Sequence, residues 1–398
     1  MKRLITFFIL IPFVAFSQND ASIWDLDFLE QAPKVEETNL KQEAGLKSIF
    51  YSSVDYNGKP TKVYAYYGYP KSEKPKDGYP AVVLVHGGGG TAIAKWVRIW
   101  NEKGYVALSM DLEGHLPSEH HKDRKGFEGS GPSRYGVFHD NDKPLKEQWY
   151  YHAVAQVILA NSFVRSLEDV NKDQVGVTGV SWGGMLTSTV AGVDQRFCFA
   201  IPIYGCGFLN GTDGAMGQHF KNGNQAYRDN LLNNFEGQKY LPLANMPMLF
   251  INGSNDHHFP IPGSVASYKA PKSDSYLYIE DQLGHGHPPA WKVKESYFFA
   301  DAVINNKPIM SVQKTVMNLG KGTISAIVKS TKPVKATVFY TEDSGKWEER
   351  KWKSATANVN GKKVSGEISK NATAAYLFIT DENGMTLSSE VKFQDIVN

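Results

Sequence analysis

From residue 79 onward, short apolar runs alternate with stretches long enough for a helix, and no other feature of the chain narrows its fold as far. The runs cover residues 81–85, 105–110, 175–178, 197–204, 248–252 and 275–280. Runs that stay apolar residue after residue suit strands buried on both faces, and helix-length connections between them suit βαβ crossovers. The pattern therefore predicts an α/β fold with a mainly parallel sheet covered on both sides. Between the second and third runs, Val154, Val157, Ile158, Val164 and Leu167 recur at helical spacing and predict one long amphipathic helix over 149–168. A closing helix is expected over 291–302. Two connections, 112–148 and 205–245, are too long to be simple turns and are rich in Gly, Asn, Asp and aromatics. In a compact α/β domain such segments serve as lids or binding loops.

The flanks read differently. After a polar lead-in over 18–46, two alternating segments, 47–56 and 61–69, enclose Asn57-Gly58, a dipeptide that favours a tight hairpin. Past Pro308 no helical period survives. Alternating stretches at 323–329, 334–340 and 374–380 are broken by Asp343-Ser344-Gly345, Asn360-Gly361 and Glu382-Asn383-Gly384. Residues 309–398 are expected to form a separate β-sandwich of immunoglobulin or fibronectin type, beside an α/β unit over 47–308. Trp347, Trp352, Tyr340 and Tyr376 in that tail offer either sugar-stacking faces or core packing.

Lys2 and Arg3, an uncharged, mostly apolar run over 4–16 and Ala15-Phe16-Ser17 make up the three parts of a secretory signal peptide over 1–17. The run is short for a bilayer span, and no cysteine follows it to carry a lipid anchor, so a bacterial protein that is secreted or periplasmic, with no membrane anchor, is expected. Without Lys2 and Arg3, the 43 lysines and arginines fall to 41, equal to the 41 acids. A balanced charge with no basic stripe excludes a phosphate-backbone grip, so nucleic acid is not an expected partner. Cys198 and Cys206 are the two cysteines. On a strand over 197–204 they stand ~26 Å apart, beyond the ~7 Å reach of a disulfide, which predicts two free thiols.

Gly179-Val180-Ser181-Trp182-Gly183 fits G-x-S-x-G and falls between a predicted strand and a predicted helix. A serine there occupies a strained bend, and flanking side chains would collide with the strand and helix that meet at it. His86-Gly87-Gly88-Gly89-Gly90 follows the first core strand, where glycines let backbone N–H groups approach a developing oxyanion. A serine hydroxyl needs a base and the base needs an orienting carboxylate, in the chain order Ser, Asp, His. Asp256 lies just past the run 248–252, and His285 follows the run 275–280. His287 is the alternative base and Asp281 the alternative acid, although Asp281 precedes His285 by only four residues. His115, His120, His121, His139, His257 and His258 invite a metal reading, but none has the spacing of a known zinc motif, and neither metal nor cofactor is expected.

On these residues the chain resembles the α/β-hydrolases of the group that holds acetyl xylan esterases, dienelactone hydrolases and the catalytic domain of prolyl oligopeptidase-type peptidases. The resemblance covers residues 51–306. It rests on the His86 glycine run, Met110 to His115, Asp169 to Gly184, Gly253 to Pro260 and Gly284 to His287. It implies Ser181 as nucleophile, His285 as base, Asp256 as its partner, and the N–H groups of Gly88 and Trp182 as oxyanion donors. Three departures bear on the branch. Dienelactone hydrolases usually carry cysteine where Ser181 stands. The acetyl xylan esterases commonly show Arg-Gly-Gln where this chain has Leu112-Glu113-Gly114. Prolyl oligopeptidases carry a large N-terminal propeller, for which the leading residues leave no room.

The resulting expectation is a secreted serine esterase that deacylates a small-molecule or polysaccharide ester, with acetyl first among the acyl groups. A prolyl oligopeptidase-type peptidase or aminopeptidase is the second reading, for which Glu113, Glu119 and Glu128 are the available acids. A pseudo-hydrolase that binds carbohydrate without catalysis is the third. Oligomeric state has no signal in the sequence, and Tyr135, Trp149, Tyr204, Phe208, Phe259 and Trp291 are the aromatic candidates for a pocket wall.

Overall fold

The computed structural model describes residues 23–118 and 123–394, so the expected signal peptide over 1–17, His120, His121 and Glu119 lie outside the described residues. The first strands are β1 (Val35–Glu37), β2 (Lys47–Tyr56), β3 (Lys59–Gly68), β4 (Tyr79–Val85) and β5 (Val106–Met110). They are followed by β6 (Val170–Val180), β7 (Ala200–Ile203), β8 (Met248–Gly253) and β9 (Ser275–Glu280). In space they run β1-β2-β3-β5-β4-β6-β7-β8-β9. The pairs from β5 through β9 are parallel, and β1, β2 and β3 join antiparallel at one side. Every residue of β5 and β8 is buried although neighbours point to opposite faces, so the sheet is covered on both sides as the apolar runs predict. The Asn57-Gly58 turn has φ of 50° and 68°, the two left-handed positions that a two-residue hairpin of this twist requires.

The order places β4 between β5 and β6, with Val85 beside Gly179. The loops leaving β4 and β6 therefore emerge side by side, at the point where successive crossovers diverge and open α/β sheets bind their ligands. The helices around this sheet are α1 (Leu26–Leu29), α2 (Ala94–Glu102), α3 (Trp149–Arg165), α4 (Trp182–Val193), α5 (Ala215–Asn222), α6 (Gln225–Asn230), α7 (Gly237–Tyr240), α8 (Ile261–Lys269), α9 (His287–Lys292) and α10 (Glu295–Ile304).

Four expectations need correction. Helix α3 is not amphipathic: every residue from Trp149 to Val164 is buried. Its outer side is covered by the lead-in, where Trp24 Nε1 donates to Tyr151 O at 2.9 Å and Ser162 Oγ donates to Leu29 O at 2.6 Å. The closing helix is two helices, because Pro288 and Pro289 open α9 and Val293 is extended. The run 197–204 is a strand only over Ala200–Ile203, with Cys198 N–H still reaching Val175 O at 2.8 Å. The connection 205–245 is largely helical, carrying α5, α6 and α7. Both cysteines are free.

The tail forms two facing sheets. Its strands are β10 (Ser311–Asn318), β11 (Thr323–Lys329), β12 (Pro333–Thr341), β13 (Lys353–Thr356), β14 (Asn358–Asn360), β15 (Lys363–Glu367), β16 (Ala374–Asp381), β17 (Thr386–Ser388) and β18 (Lys392–Phe393). One sheet runs β10-β11-β15-β14. The other, β17-β16-β12-β13 with β18 on β16, continues the α/β sheet, because β17 pairs antiparallel with β9 at Ser388 and Leu277. The two layers touch closely enough that a Cβ on Gly366 would lie 2.6 Å from Val338 Cβ. The β domain is thus joined to the α/β sheet at what would otherwise be an open strand edge. Of its aromatics, Tyr376 is fully buried and stacks on Phe339, Trp347 is buried, and Trp352 packs on Tyr376. Tyr376 and Trp347 are core packing and not sugar-stacking faces, while Trp352 is half-buried.

Candidate functional site

Ser181 ends β6 and precedes α4 with φ 59° and ψ −117°, a backbone state that costs a non-glycine residue ~1–3 kcal/mol and persists only where surrounding structure enforces it. The enforcement is visible. Ser181 N–H donates to Ile203 O at 2.8 Å on β7, and Ser181 O accepts from Met185 N at 3.0 Å. A Cβ on Gly179 would lie 2.1 Å from Gly183 O, and one on Gly183 would lie 2.0 Å from Val85 O. The two flanking glycines of the motif are what let strand, helix and the end of β4 converge on the serine.

The sequence-predicted partners converge on it. His285 Nε2 is 2.9 Å from Ser181 Oγ, and His285 Nδ1 is 2.6 Å from Asp256 Oδ2. The Asp256 side chain is fully buried, and its other oxygen accepts the His258 and Phe259 amides at 2.9 and 2.8 Å. With one carboxylate oxygen pinned by two backbone donors, the other faces His285 Nδ1–H, which leaves Nε2 as the acceptor turned to the serine. Asp281 is occupied elsewhere, accepting from Ser254 Oγ at 2.8 Å.

His287, the alternative base, stands behind the glycine run. Its Nε2 accepts the Gly87 amide at 3.1 Å, and its ring packs on Trp96 and Trp291. Burial pushes its pKa down to about 3, consistent with a neutral ring held as an acceptor. His258 lies edge-on to His285 at 4.6 Å and is pushed down to about 4, by burial first and then by the neighbouring His285 and His257.

Of the four glycine amides after His86, those of Gly87, Gly89 and Gly90 are bound, to His287 Nε2, Glu113 Oε1 and Gly87 O. The Gly88 amide has no acceptor among the described residues, and the Trp182 amide, first in α4, has no carbonyl one turn back. A Cβ on Gly88 would lie 2.4 Å from Trp182 Cδ1, so the two residues are in contact. These donors beside Ser181 fit the oxyanion role that the resemblance implies.

Several residues contribute to the site through contacts that the sequence reading did not assign. Glu113 is buried and accepts Gly89 N–H at 2.8 Å and Arg134 Nε–H at 2.9 Å. Burial opposes its charge, but His86, Arg134 and the Gly89 amide together hold the carboxyl below its usual range. Arg134 in turn lies 5.3 Å from the Trp182 ring. His86 accepts Leu112 N–H at 2.9 Å through Nε2, tying the segment after β5 to the glycine run. Tyr204 faces His285 at 4.8 Å and donates to Gly284 O at 2.9 Å. Tyr204 follows directly on β7 and Glu113 lies three residues past β5, so both sit where core strands end.

A cleft of about 470 Å³ opens beside Ser181, lined among others by Arg134, Val137, Trp182, Met216, His219 and Phe259. Of the six aromatics proposed as walls, Phe259 lines it; Trp149 is buried beneath Trp182, Trp291 packs behind His287, and Tyr135 is exposed. Among the described residues no group of three or more His, Cys, Asp or Glu is placed to hold a metal ion. No helix among them is long and apolar enough to cross a membrane.

The acetyl xylan esterase (AXE1) family model matches residues 17–302. Among solved structures, the acetyl xylan esterase from Paenibacillus sp. R4 superposes with a TM-score of 0.54 at 19% identity, over 69% of this chain and 91% of that one. Acetyl xylan esterase 1 from Thermoanaerobacterium sp. JW/SL YS485 gives 0.51 at 18% identity, over 65% and 86%. At these identities the structural likeness establishes the fold, and the family match, over most of the chain, establishes the lineage. Leu112-Glu113-Gly114 in place of Arg-Gly-Gln is thus a variation inside the family: the chain belongs to the acetyl xylan esterase family, and it is a serine hydrolase with the α/β-hydrolase fold.

Proposed function

We propose that this protein is an exported esterase that removes short acyl groups, acetyl foremost, from a carbohydrate through Ser181, His285 and Asp256. The observation that carries the reading is the unbroken hydrogen-bonded line from Asp256 Oδ2 through His285 to Ser181 Oγ, at 2.6 and 2.9 Å. Ser181 Oγ attacks the ester carbonyl while His285 Nε2 takes its proton, and the Gly88 and Trp182 amides receive the developing oxyanion. Collapse of the tetrahedral intermediate expels the alcohol, which takes the proton from His285 and leaves an acyl-Ser181 ester. Water, deprotonated by His285, then attacks the same carbonyl and releases the acid. Asp256 holds the imidazole in the reactive tautomer and offsets the charge of the imidazolium.

The cleft argues for an ester over a peptide with a free amino terminus. Among the described residues its lining includes Arg134 and no Asp or Glu to anchor an ammonium group. Of the acids available for that role, Glu113 is committed to Gly89 and Arg134, and Glu128 is exposed. A carbohydrate substrate rests on the family and on the expected export. The test is purified protein and Ser181→Ala on p-nitrophenyl acetate, p-nitrophenyl butyrate, acetylated xylan and a prolyl p-nitroanilide. Ser181-dependent acetate release, falling as the acyl chain lengthens, supports the proposal; anilide cleavage without ester preference overturns it.

A further inference from the structure

We propose that the C-terminal β domain is part of the working architecture of the reacting centre, and that Asn255 is the positioning residue through which it holds Asp256 and His285 in line. The inference rests on the serine-esterase reading of Ser181, His285 and Asp256. It begins with the strand that leads to the histidine. β9 is flanked on one side by β8, whose end leads to Asp256, and on the other by β17 of the β domain. Ser388 Oγ accepts the Ile279 amide at 2.8 Å, Lys294 Nζ donates to Gly384 O at 3.0 Å, and Tyr278 packs on Phe378. The β domain thus supplies the outer neighbour of the strand that carries the base.

Asn255 then ties the ends of β8 and β9 to that domain. Its Nδ2 donates to Glu348 O at 3.1 Å and to Arg350 O at 2.7 Å, both in the turn after β12. Its Oδ1 accepts Gln282 Nε2–H at 2.7 Å, from the segment between β9 and His285. One side chain, adjacent in sequence to Asp256, therefore bridges the acid's loop, the base's loop and the β domain. The turn it grips is itself fixed: Arg350 is buried, its guanidinium lies 3.6 Å over the Trp347 ring, and its Nε donates to Gly345 O at 3.0 Å. A loop bearing a catalytic group needs such support, because displacement of about 1 Å is enough to cost on the order of 100-fold in rate.

The test uses the full chain, with Asn255→Ala, Arg350→Ala, the double variant and Gln282→Ala assayed on p-nitrophenyl acetate. Asn255→Ala is expected to lower kcat about tenfold or more with KM within about twofold, since it disturbs alignment and not the cleft. Arg350→Ala, which loosens the turn, is expected to act in the same direction, and the double variant to fall no further than the worse single, because both act through one linkage. Gln282→Ala, which leaves the grip on the β domain intact, is expected to cost less than Asn255→Ala. Wild-type kcat in Asn255→Ala, or losses that multiply in the double variant, would overturn the proposal. If Arg350→Ala does not fold, amide exchange over 253–258 and 348–351 in Asn255→Ala decides: faster exchange in both segments supports the linkage, and unchanged exchange in either refutes it. Ser181→Ala in the same assay separates the two ideas. Retained turnover there defeats the esterase reading, whereas lost turnover beside an unaffected Asn255→Ala defeats only the positioning role.

Discussion

Replacing Gly183 with alanine places a methyl group where β4, β6 and α4 meet, and the structure sets the size of the disturbance. The new Cβ would lie 2.0 Å from Val85 O and 2.7 Å from His86 O, whereas real Cβ contacts essentially never fall below 3.0 Å. Helix α4 and the end of β4 must therefore separate by about 1 Å, and both partners are backbone in a close-packed interior. Overpacking of this kind costs ~1–3 kcal/mol; at ~2–4 °C per kcal/mol, the scale of a domain of a few hundred residues, Tm falls by roughly 2–12 °C. The effect on turnover is larger, because Ser181 and Trp182 ride on α4 while Gly88 follows β4. A shift of about 1 Å between nucleophile and oxyanion donor is expected to lower kcat on p-nitrophenyl acetate ~100-fold. Differential scanning calorimetry and steady-state kinetics on the same preparation measure both. Gly211→Ala is the control, since nothing lies within 4 Å of its Cβ. A Gly183→Ala protein with wild-type Tm and kcat would refute the argument that this glycine sets the approach of the oxyanion strand to the nucleophile.

Four further outcomes follow from the geometry. His285→Ala should lower kcat by roughly 10⁴- to 10⁶-fold, the range that loss of a triad member costs elsewhere, with the histidine at the upper end. His287→Phe, which keeps a ring against Trp96 and Trp291 but leaves the Gly87 amide without its acceptor, should cost ~1–3 kcal/mol of stability and far less in kcat, as urea unfolding and p-nitrophenyl acetate kinetics would show. Burial pushes the Asp111 carboxyl up to about 8, so between its ordinary value and about 8 the folded chain holds a proton that the unfolded chain releases, and stability falls as pH rises through that window. Asp111→Asn removes that contribution while keeping an acceptor for the His115 amide, and should flatten Tm against pH over the same range; an unchanged slope would contradict the assignment. Cys206 is buried and Cys198 half-buried, and burial raises both thiols, Cys198 to about 12; both should react with a thiol reagent after unfolding, whereas in the native state Cys206 should stay unlabelled and Cys198 react slowly, and rapid native labelling of Cys206 would contradict its burial.

The parallel strands and the proposed reacting residues were legible because each carries a local signature. A strand buried on both faces has an uninterrupted apolar run, as at Met248–Gly253, and a serine at a strained elbow needs glycines at fixed offsets, as at Gly179 and Gly183. The order of the proposed triad followed because Asp256 and His285 lie just beyond β8 and β9. What escaped depends on packing between segments distant in sequence. The burial of α3 on all sides comes from Trp24 and Leu29, more than a hundred residues away, and no periodicity within 149–168 encodes that cover. Glu113 and Arg134 look like ordinary loop charges until the fold brings Glu113 onto Gly89 and Arg134 onto Glu113. The β domain read as separate because its alternation is self-contained; its attachment rests on one short pairing, Ser388 with Leu277, and on a few side chains such as Asn255. His285 and His287 have near-identical local sequence, and only the three-dimensional path of α9 sends one to Ser181 and the other to Gly87.

The central claim is that turnover passes through an ester on Ser181, and trapping that ester tests it most directly. The protein would be mixed with excess p-nitrophenyl acetate, quenched in acid within the first turnovers, digested and mapped by mass spectrometry. The account predicts a mass gain of one acetyl group on the peptide that contains Ser181, absent in Ser181→Ala and suppressed in His285→Ala. Steady turnover with no covalent adduct, or an acetyl group mapped reproducibly to another side chain whose removal abolishes activity, would contradict it.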